Sequence, residues 1–264
     1  MIWISIFIFG IAIGSFINCI IYRLEIKEGF VSGRSKCPYC KDEIKFYDLI
    51  PIISYFILRG RCRCCKQKIS IQYPLVELLT GMVFLFIFFQ QGILELFSFF
   101  IAIETTYLLL VFFLMIIIFI YDLKHYLIPD EAVYTAIALV TTWRGGTLLA
   151  GIIDIRQVAI YLFSGLAAFG LFLSIFILSR GLWIGFGDVK LVLFIGIFLG
   201  FPEIFIALFS SFILGAIIGS VVIVFRKRGT GTEIPFAPFL ITGTALALFW
   251  GELIMGWYFN FFMF

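Results

Sequence analysis

The feature that most constrains this chain is a series of long, uninterrupted apolar stretches. Residues 2–13 and 107–120 contain no charged side chain, and they are too uniformly apolar to form the amphipathic helices of a soluble protein. Of the 264 residues, 63% are hydrophobic and only 13% are charged, which is far from the composition of soluble domains. The sequence therefore predicts an all-α polytopic membrane protein.

Eight apolar segments are candidates to cross the bilayer core, which requires about 20 helical residues. The fourth is the weakest because it contains threonines and a tryptophan, and the sixth is short enough to be tilted or a partial span. The first lacks the basic start and the cleavage site of a secretory signal, so it is interpreted as a transmembrane helix. The segments lie near residues 2–21, 74–90, 93–121, 131–149, 157–179, 188–201, 203–225 and 238–259.

Basic residues are distributed very unevenly between the two sides of these segments. Of the 19 Lys and Arg residues, 17 fall on one side and only Arg144 and Arg156 fall on the other. Because basic residues near helix ends are retained in the cytoplasm, we expect a cytoplasmic first loop and both termini on the outer face of a bacterial inner membrane. The basic run 226–228 would anchor a helix end at anionic lipid. The formal net charge of +3 gives no electrostatic case for nucleic-acid binding.

The predicted organisation has three parts. They are a first transmembrane helix at residues 1–22, a cytoplasmic Cys-rich loop domain at residues 23–73, and a multi-helix membrane domain at residues 74–264.

Five of the six cysteines lie in that loop, and four of them form two C-x-x-C pairs that are separated by 21 residues. Such pairs each present two thiolates to one tetrahedral zinc ion, and free thiols in a reducing compartment favour metal over disulfides. With four thiolates the zinc has no open position for water, so its role is structural. Cys64 is a possible substitute ligand, and Cys19 is interpreted as a small buried hydrophobe. The predicted zinc ligands are Cys37, Cys40, Cys62 and Cys65.

Two aspartates at the ends of apolar segments are candidate catalytic residues. An ionisable residue in a membrane helix is costly and is a functional suspect by default. Asp122 closes the third segment, where the helix dipole disfavours an anion, although a solvated residue outside the headgroups is an alternative. Asp188 opens the sixth segment, where a helix-start charge is the structural alternative. The neighbouring Gly185 and Gly187 permit close approach of an extended peptide.

Both aspartates are predicted at the cytoplasmic edge, because the third segment ends there and the sixth begins there. Two adjacent carboxyl groups share a proton, so that one activates water as a base while the other donates a proton. The pattern therefore predicts an aspartic hydrolase. Asp130, by contrast, follows Pro129 and is expected to cap the next helix.

Three other polar residues are given structural interpretations. His125, the single histidine, is expected to be solvated. Glu77 and Asn18 lie within predicted spans, where hydrogen bonding between helices is the default role.

Taken together, several motifs resemble those of the type IV prepilin peptidases, also called prepilin leader peptidases/N-methyltransferases, over nearly the full chain. A departure is Glu25, where the family commonly has Pro. The resembling motifs are GSFIN at 14–18 with YRL at 22–24, the double Cys knuckle at 37–65, YPLVELLTG at 73–81, Asp122 with IPD at 128–130, GDVK at 187–190 and IPFAPFL at 234–240.

The resemblance implies that Asp122 and Asp188 are the catalytic pair, with Gly187 and Lys190 as supporting residues. It also implies cleavage of basic leaders from prepilins or pseudopilins, followed by N-methylation with S-adenosylmethionine. The rival interpretation is a proton-coupled transporter with relay carboxylates, and a third is a non-catalytic zinc-knuckle scaffold.

Overall fold

A computed structural model describes residues 2–26, 35–92, 98–226 and 234–262 of the chain. These residues form helices and two isolated β-bridges, without a β-strand among them, which confirms the predicted all-α class. A short 3₁₀ helix lies at Phe46–Leu49. The α-helices are α1 Ile2–Ile26, α2 Ile53–Ile57, α3 Gln72–Gln90, α4 Phe99–His125, α5 Asp130–Leu149, α6 Ile155–Leu178, α7 Phe186–Leu199, α8 Glu203–Arg226 and α9 Ala237–Phe262.

Each predicted apolar segment corresponds to one long helix, in the expected order. Six of these helices, namely α1, α3, α4, α6, α8 and α9, are long and apolar enough to cross a membrane. Helix α5 is more polar, and α7, with 14 residues, is only about 21 Å long. The count of eight spans therefore stays a prediction. The expected start of the third segment at residues 93–97, and Lys227 and Arg228 of the basic run, lie outside the described residues.

The chain divides into two compact units, residues 1–117 and residues 118–264, with the boundary inside α4. In the first unit α1 and α3 pack antiparallel at short range. A Cβ added at Gly14 would lie 2.6 Å from the Cα of Glu77, and the Asn18 amide donates to the Tyr73 carbonyl oxygen over 3.0 Å. Small residues and interhelical hydrogen bonds of this kind are typical of membrane helix pairs. The Cys-rich loop lies between these two helices, and its predicted domain boundaries remain a prediction.

Helix α7 is the central element of the second unit. It packs against α5, α6, α8 and α9, and ten of its 14 residues are buried. A helix that is apolar on all sides belongs in such an interior position. Its approach to α6 depends on glycine, because a Cβ added at Gly196 would lie 2.5 Å from the Cα of Gly165.

Candidate active site and candidate metal centre

Asp122 lies in the last turn of α4 and is 4% exposed. Its carboxylate Oδ2 accepts a hydrogen bond from the backbone N–H of Ala237 over 3.2 Å. Ala237 is the first residue of α9, and the first N–H groups of a helix have no partner within the helix itself. The anion therefore faces the positive end of another helix dipole, which offsets its poor position at the end of α4. The alternative of a solvated Asp122 is wrong.

Asp188 is the third residue of α7 and is half-buried. Its carboxylate accepts the N–H of Gly185 over 3.3 Å, and its own N–H donates to the Gly185 carbonyl oxygen over 3.1 Å. These bonds are those of an acidic residue at a helix start. Asp188 therefore does make the hydrogen bonds of a helix-start carboxylate, and these bonds orient its side chain at the start of α7.

Asp122 is hydrogen-bonded to the start of α9, and α9 packs against α7, the helix that carries Asp188 in its first turn. Two neighbouring carboxylates of this kind disfavour double ionisation, so that one proton is shared between them. Both residues belong to the second unit, in which α7 and α9 pack together. The arrangement can therefore supply one protonated and one ionised carboxyl group.

The predicted capping role of Asp130 is wrong. Helix α5 has Pro129 at its N-cap position with no side-chain cap, and Asp130 is already the first helical residue. Its carboxylate instead accepts a charged hydrogen bond from the Lys190 ammonium. Lys190 is 9% exposed and lies 5.2 Å from the centre of the Tyr134 ring. The predicted supporting residue Lys190 thus ties the start of α5 to α7, two residues beyond Asp188.

Gly187 provides a second link between these motifs. A Cβ added there would lie 3.0 Å from the Cβ of Ile128. The segment that approaches Gly187 closely is therefore the connection between α4 and α5. The sequence had suggested that an extended peptide would lie there. At Gly185 the nearest atom to an added Cβ is the Asp188 carboxylate at 3.4 Å. Residues 128–130 and 187–190 consequently form one contact surface beside the aspartates.

The four predicted zinc ligands converge in the first unit. Their sulfur atoms all lie within 4.8 Å of one another, and the Sγ atoms of Cys37 and Cys65 are 3.9 Å apart. Tetrahedral zinc with Zn–S bonds of about 2.3 Å requires sulfur separations of about 3.8 Å, so the cluster fits the ion. The Cys65 backbone N–H lowers the pKa of the Cys62 thiol, which favours the thiolate that zinc binds.

The two Cys turns have the same backbone pattern, displaced by 25 positions. Cys37 and Cys62 each donate their N–H to the carbonyl five residues later and accept from the N–H four residues later. Bridges between Lys36 and Glu43 and between Arg61 and Lys68 close both turns. Cys64 occupies the position in the second turn that Tyr39 occupies in the first. Its side chain is exposed and lies outside the cluster of four sulfur atoms.

The three other polar residues singled out in the sequence each contact another residue of the chain. Asn18 bridges α1 and α3, as predicted. Glu77 accepts the backbone N–H of Ile52 from the Cys-rich loop over 2.7 Å. The His125 ring is half-buried, against expectation, and lies 4.5 Å from the ring of Tyr121.

Sequence reasoning missed Ala237 as a contributor to the site. Its contribution is a backbone N–H, which has no signature in side-chain chemistry. Only the resemblance of residues 234–240 to a family motif indicated this segment.

Comparison with known proteins gives matches over almost the whole chain. Residues 8–91 match the bacterial peptidase A24 N-terminal domain, and residues 108–220 match the type IV leader peptidase family. A prepilin leader peptidase/N-methyltransferase of Legionella pneumophila is 31% identical, over 97% of this chain and 94% of the relative. Proteins of the same name from Aeromonas hydrophila and Bacillus subtilis are each 30% identical over 96% of this chain, and 92% and 96% of their own lengths. No solved structure is significantly similar.

Proposed function

The chain belongs to the type IV leader peptidase family, and from this premise we propose that it removes the leader peptides of prepilins or pseudopilins with Asp122 and Asp188 as the catalytic pair. The observation that supports the assignment is that Asp122 is buried and hydrogen-bonded to the start of α9, which packs against α7, the helix that carries Asp188 in its first turn. Charge repulsion between the two carboxylates favours the singly protonated state that general acid–base hydrolysis requires.

In this mechanism the ionised carboxylate takes a proton from water as the water attacks the scissile carbonyl carbon. The protonated carboxyl group donates to the carbonyl oxygen, which gives a gem-diol. The proton on the first aspartate then passes to the amide nitrogen as the C–N bond breaks, and a gem-diol hydroxyl returns a proton to the second aspartate. The Ala237 N–H holds the Asp122 carboxylate in place, and the Gly185 N–H does the same for Asp188. A helical substrate amide is protected by its own hydrogen bonds, so the scissile segment must unwind locally before attack.

We propose N-methylation of the new N-terminus as a second reaction, with S-adenosylmethionine as the methyl donor. The relatives carry this activity in their names, and the donor follows from the family resemblance alone. Zinc bound by Cys37, Cys40, Cys62 and Cys65 would supply a structural cross-link to a loop too small to bury a large core.

The protein is a multi-pass inner-membrane protein by its family and its membrane-length helices. We further propose that the Cys-rich loop and both aspartates face the cytoplasm and that the termini face outward. The positive-inside distribution supports this orientation. A proton-coupled transporter is not favoured, because both family matches are to leader peptidases.

The test is incubation of the purified full-length protein with a prepilin, with and without S-adenosylmethionine, followed by mass spectrometry of the product. Asp122→Asn and Asp188→Asn should each lower cleavage by at least about 10³-fold, since each removes an essential acid–base group. Glu131→Gln is the matched control, because Glu131 is an exposed carboxylate at the start of α5. Cleavage at the normal rate by either Asn variant would refute the catalytic pair.

A further inference from the structure

A cluster of exposed apolar side chains lies in the Cys-rich loop, in the 3₁₀ helix, the turn after it and α2. Phe46 is 83% exposed, and Phe56 and Ile57 are each 70% exposed. The 3₁₀ helix contacts α2, and exposed apolar side chains concentrated in one short segment are typical of an interaction site. The members of this apolar patch are Phe46, Leu49, Ile50, Ile53, Phe56 and Ile57.

The patch carries almost no net charge. Residues 46–57 contain a single ionisable acidic residue, Asp48, and no basic residue. The Arg63 guanidinium donates to both Asp48 carboxylate oxygens, over 2.8 Å from Nε and 2.6 Å from the terminal nitrogen. These hydrogen bonds hold the pKa of Asp48 below its usual range, so the carboxylate stays ionised and neutralised by its partner. The surface is therefore suited to an apolar environment.

The surroundings of the patch are strongly basic. Residues 35–71 contain eight Lys and Arg residues against three Asp and Glu. Lys45 precedes the patch, and Arg59 and Arg61 follow it closely; all three are exposed. An apolar segment with basic flanks is complementary to the interface of an anionic bilayer, where apolar groups enter the acyl boundary and cations meet headgroups.

A hydrogen bond links the patch to a helix of membrane-spanning length. The N–H of Ile52, in the middle of the patch, donates to the Glu77 carboxylate over 2.7 Å. Glu77 lies five residues after Gln72, where α3 begins, which is about 7.5 Å along the helix axis. Helix α3 is long and apolar enough to span. The Ile52 backbone is therefore held beside the first turns of a membrane helix.

We propose that the apolar patch inserts into the headgroup and acyl boundary of an anionic membrane, so that residues 46–57 fasten the Cys-rich loop to the bilayer surface. A basic prepilin leader is a poor alternative occupant, because the surplus of positive charge around the patch repels it. A second copy of this chain would bring the same basic flanks together and is disfavoured for the same reason. The proposal is independent of the catalytic assignment.

The test places the photoreactive residue p-benzoylphenylalanine at Phe56 in the full-length, zinc-loaded protein, reconstituted in nanodiscs that contain phosphatidylglycerol. The matched control is the same residue at Gln67, which is exposed between Lys66 and Lys68. We expect about tenfold more lipid adducts at position 56 than at position 67. Equal yields, or adducts at position 56 only to a second chain, would overturn the proposal.

A second measurement does not depend on the photoreactive residue. Hydrogen exchange of residues 46–57 should be slower in phosphatidylglycerol nanodiscs than in phosphatidylcholine nanodiscs, because the basic flanks bind anionic headgroups. Phe56→Glu should accelerate this exchange without loss of zinc. Exchange that is the same in both lipids and in Phe56→Glu would contradict membrane insertion.

Discussion

At the residue scale, Asp122 closes one helix and receives a hydrogen bond from the first N–H of another. This bond satisfies a helix-end donor and holds the carboxylate at the same time. Because the donor is a backbone group, no side-chain substitution at position 237 removes it. Only proline lacks the N–H.

Ala237→Pro is therefore a specific probe of this bond. Proline is well tolerated at the first position of a helix, so α9 should still form while Asp122 loses its donor. A hydrogen bond to a charged group is worth about 1.5 to 3 kcal/mol, so we expect kcat to fall about tenfold or more with little change in KM. Ala237→Ser, which keeps the N–H, should retain activity. Equal activity of the proline and serine variants in the prepilin assay would show that the bond is not needed.

The Lys190–Asp130 pair predicts an asymmetry between its two partners. Lys190 is buried and Asp130 is exposed. Asp130→Asn leaves a buried ammonium group unpaired and should cost about 3 kcal/mol or more. Lys190→Met leaves a carboxylate that water can solvate and should cost about 1 kcal/mol.

Reversible unfolding in mixed detergent measures these two free energies. The double variant should resemble Lys190→Met alone, because the removal of the lysine also removes the unpaired charge. A larger loss of stability in Lys190→Met than in Asp130→Asn would contradict this reading of the pair.

The sequence was sufficient to single out Asp122, Asp188 and the four zinc ligands, because charge near a membrane and paired thiols carry strong local signals. Asp130 was misjudged for a physical reason. The capping rule uses neighbouring residues, whereas the partner of Asp130 lies 60 positions away. Contacts of this range arise from tertiary packing, which local preferences do not encode.

At the scale of elements, the two Cys turns behave as repeated units. Their correspondence places Cys62 and Cys65 at ligand positions and Cys64 at the position of Tyr39. We therefore expect Cys64→Ser to bind one zinc per chain, and Cys62→Ser to lose it. Zinc content measured on the purified protein distinguishes them, and proteolysis of the loop should accelerate only in Cys62→Ser. Loss of zinc from Cys64→Ser would place Cys64 among the ligands.

The contact between α6 and α7 predicts a sharp difference between two glycines. Gly196→Ala, in α7, places a methyl group within 2.5 Å of the Cα of Gly165 in α6. A Cβ at Gly170, further along α6, meets nothing within 4 Å. Overpacking of this kind costs about 1 to 3 kcal/mol, so Gly196→Ala should lower the thermal unfolding temperature. Gly170→Ala should leave it unchanged. Equal unfolding temperatures would show that the helices separate without cost.

At the scale of the whole molecule, helices α5 and α7 decide the topology. Judged by length and composition, neither qualifies as a span, and whether α5 crosses decides whether the two aspartates lie on the same side. If α6 alone crossed between Asp122 and Asp188, the two carboxylates would lie on opposite sides of the membrane. A proton shared between the two aspartates would therefore require that α5 and α6 both cross. The lower hydropathy of α5 is compatible with crossing, because it packs against α7 and α6.

This argument predicts which loops an impermeant maleimide reaches from outside intact cells. Ile152→Cys, between α5 and α6, should be labelled, and Leu182→Cys, between α6 and α7, should not; both side chains are exposed. The wild-type chain is the control, since its loop cysteines are predicted to be cytoplasmic. Labelling of Leu182→Cys but not Ile152→Cys would mean that α5 does not cross. Asp188 would then lie on the opposite side from Asp122, and no shared proton could form between them.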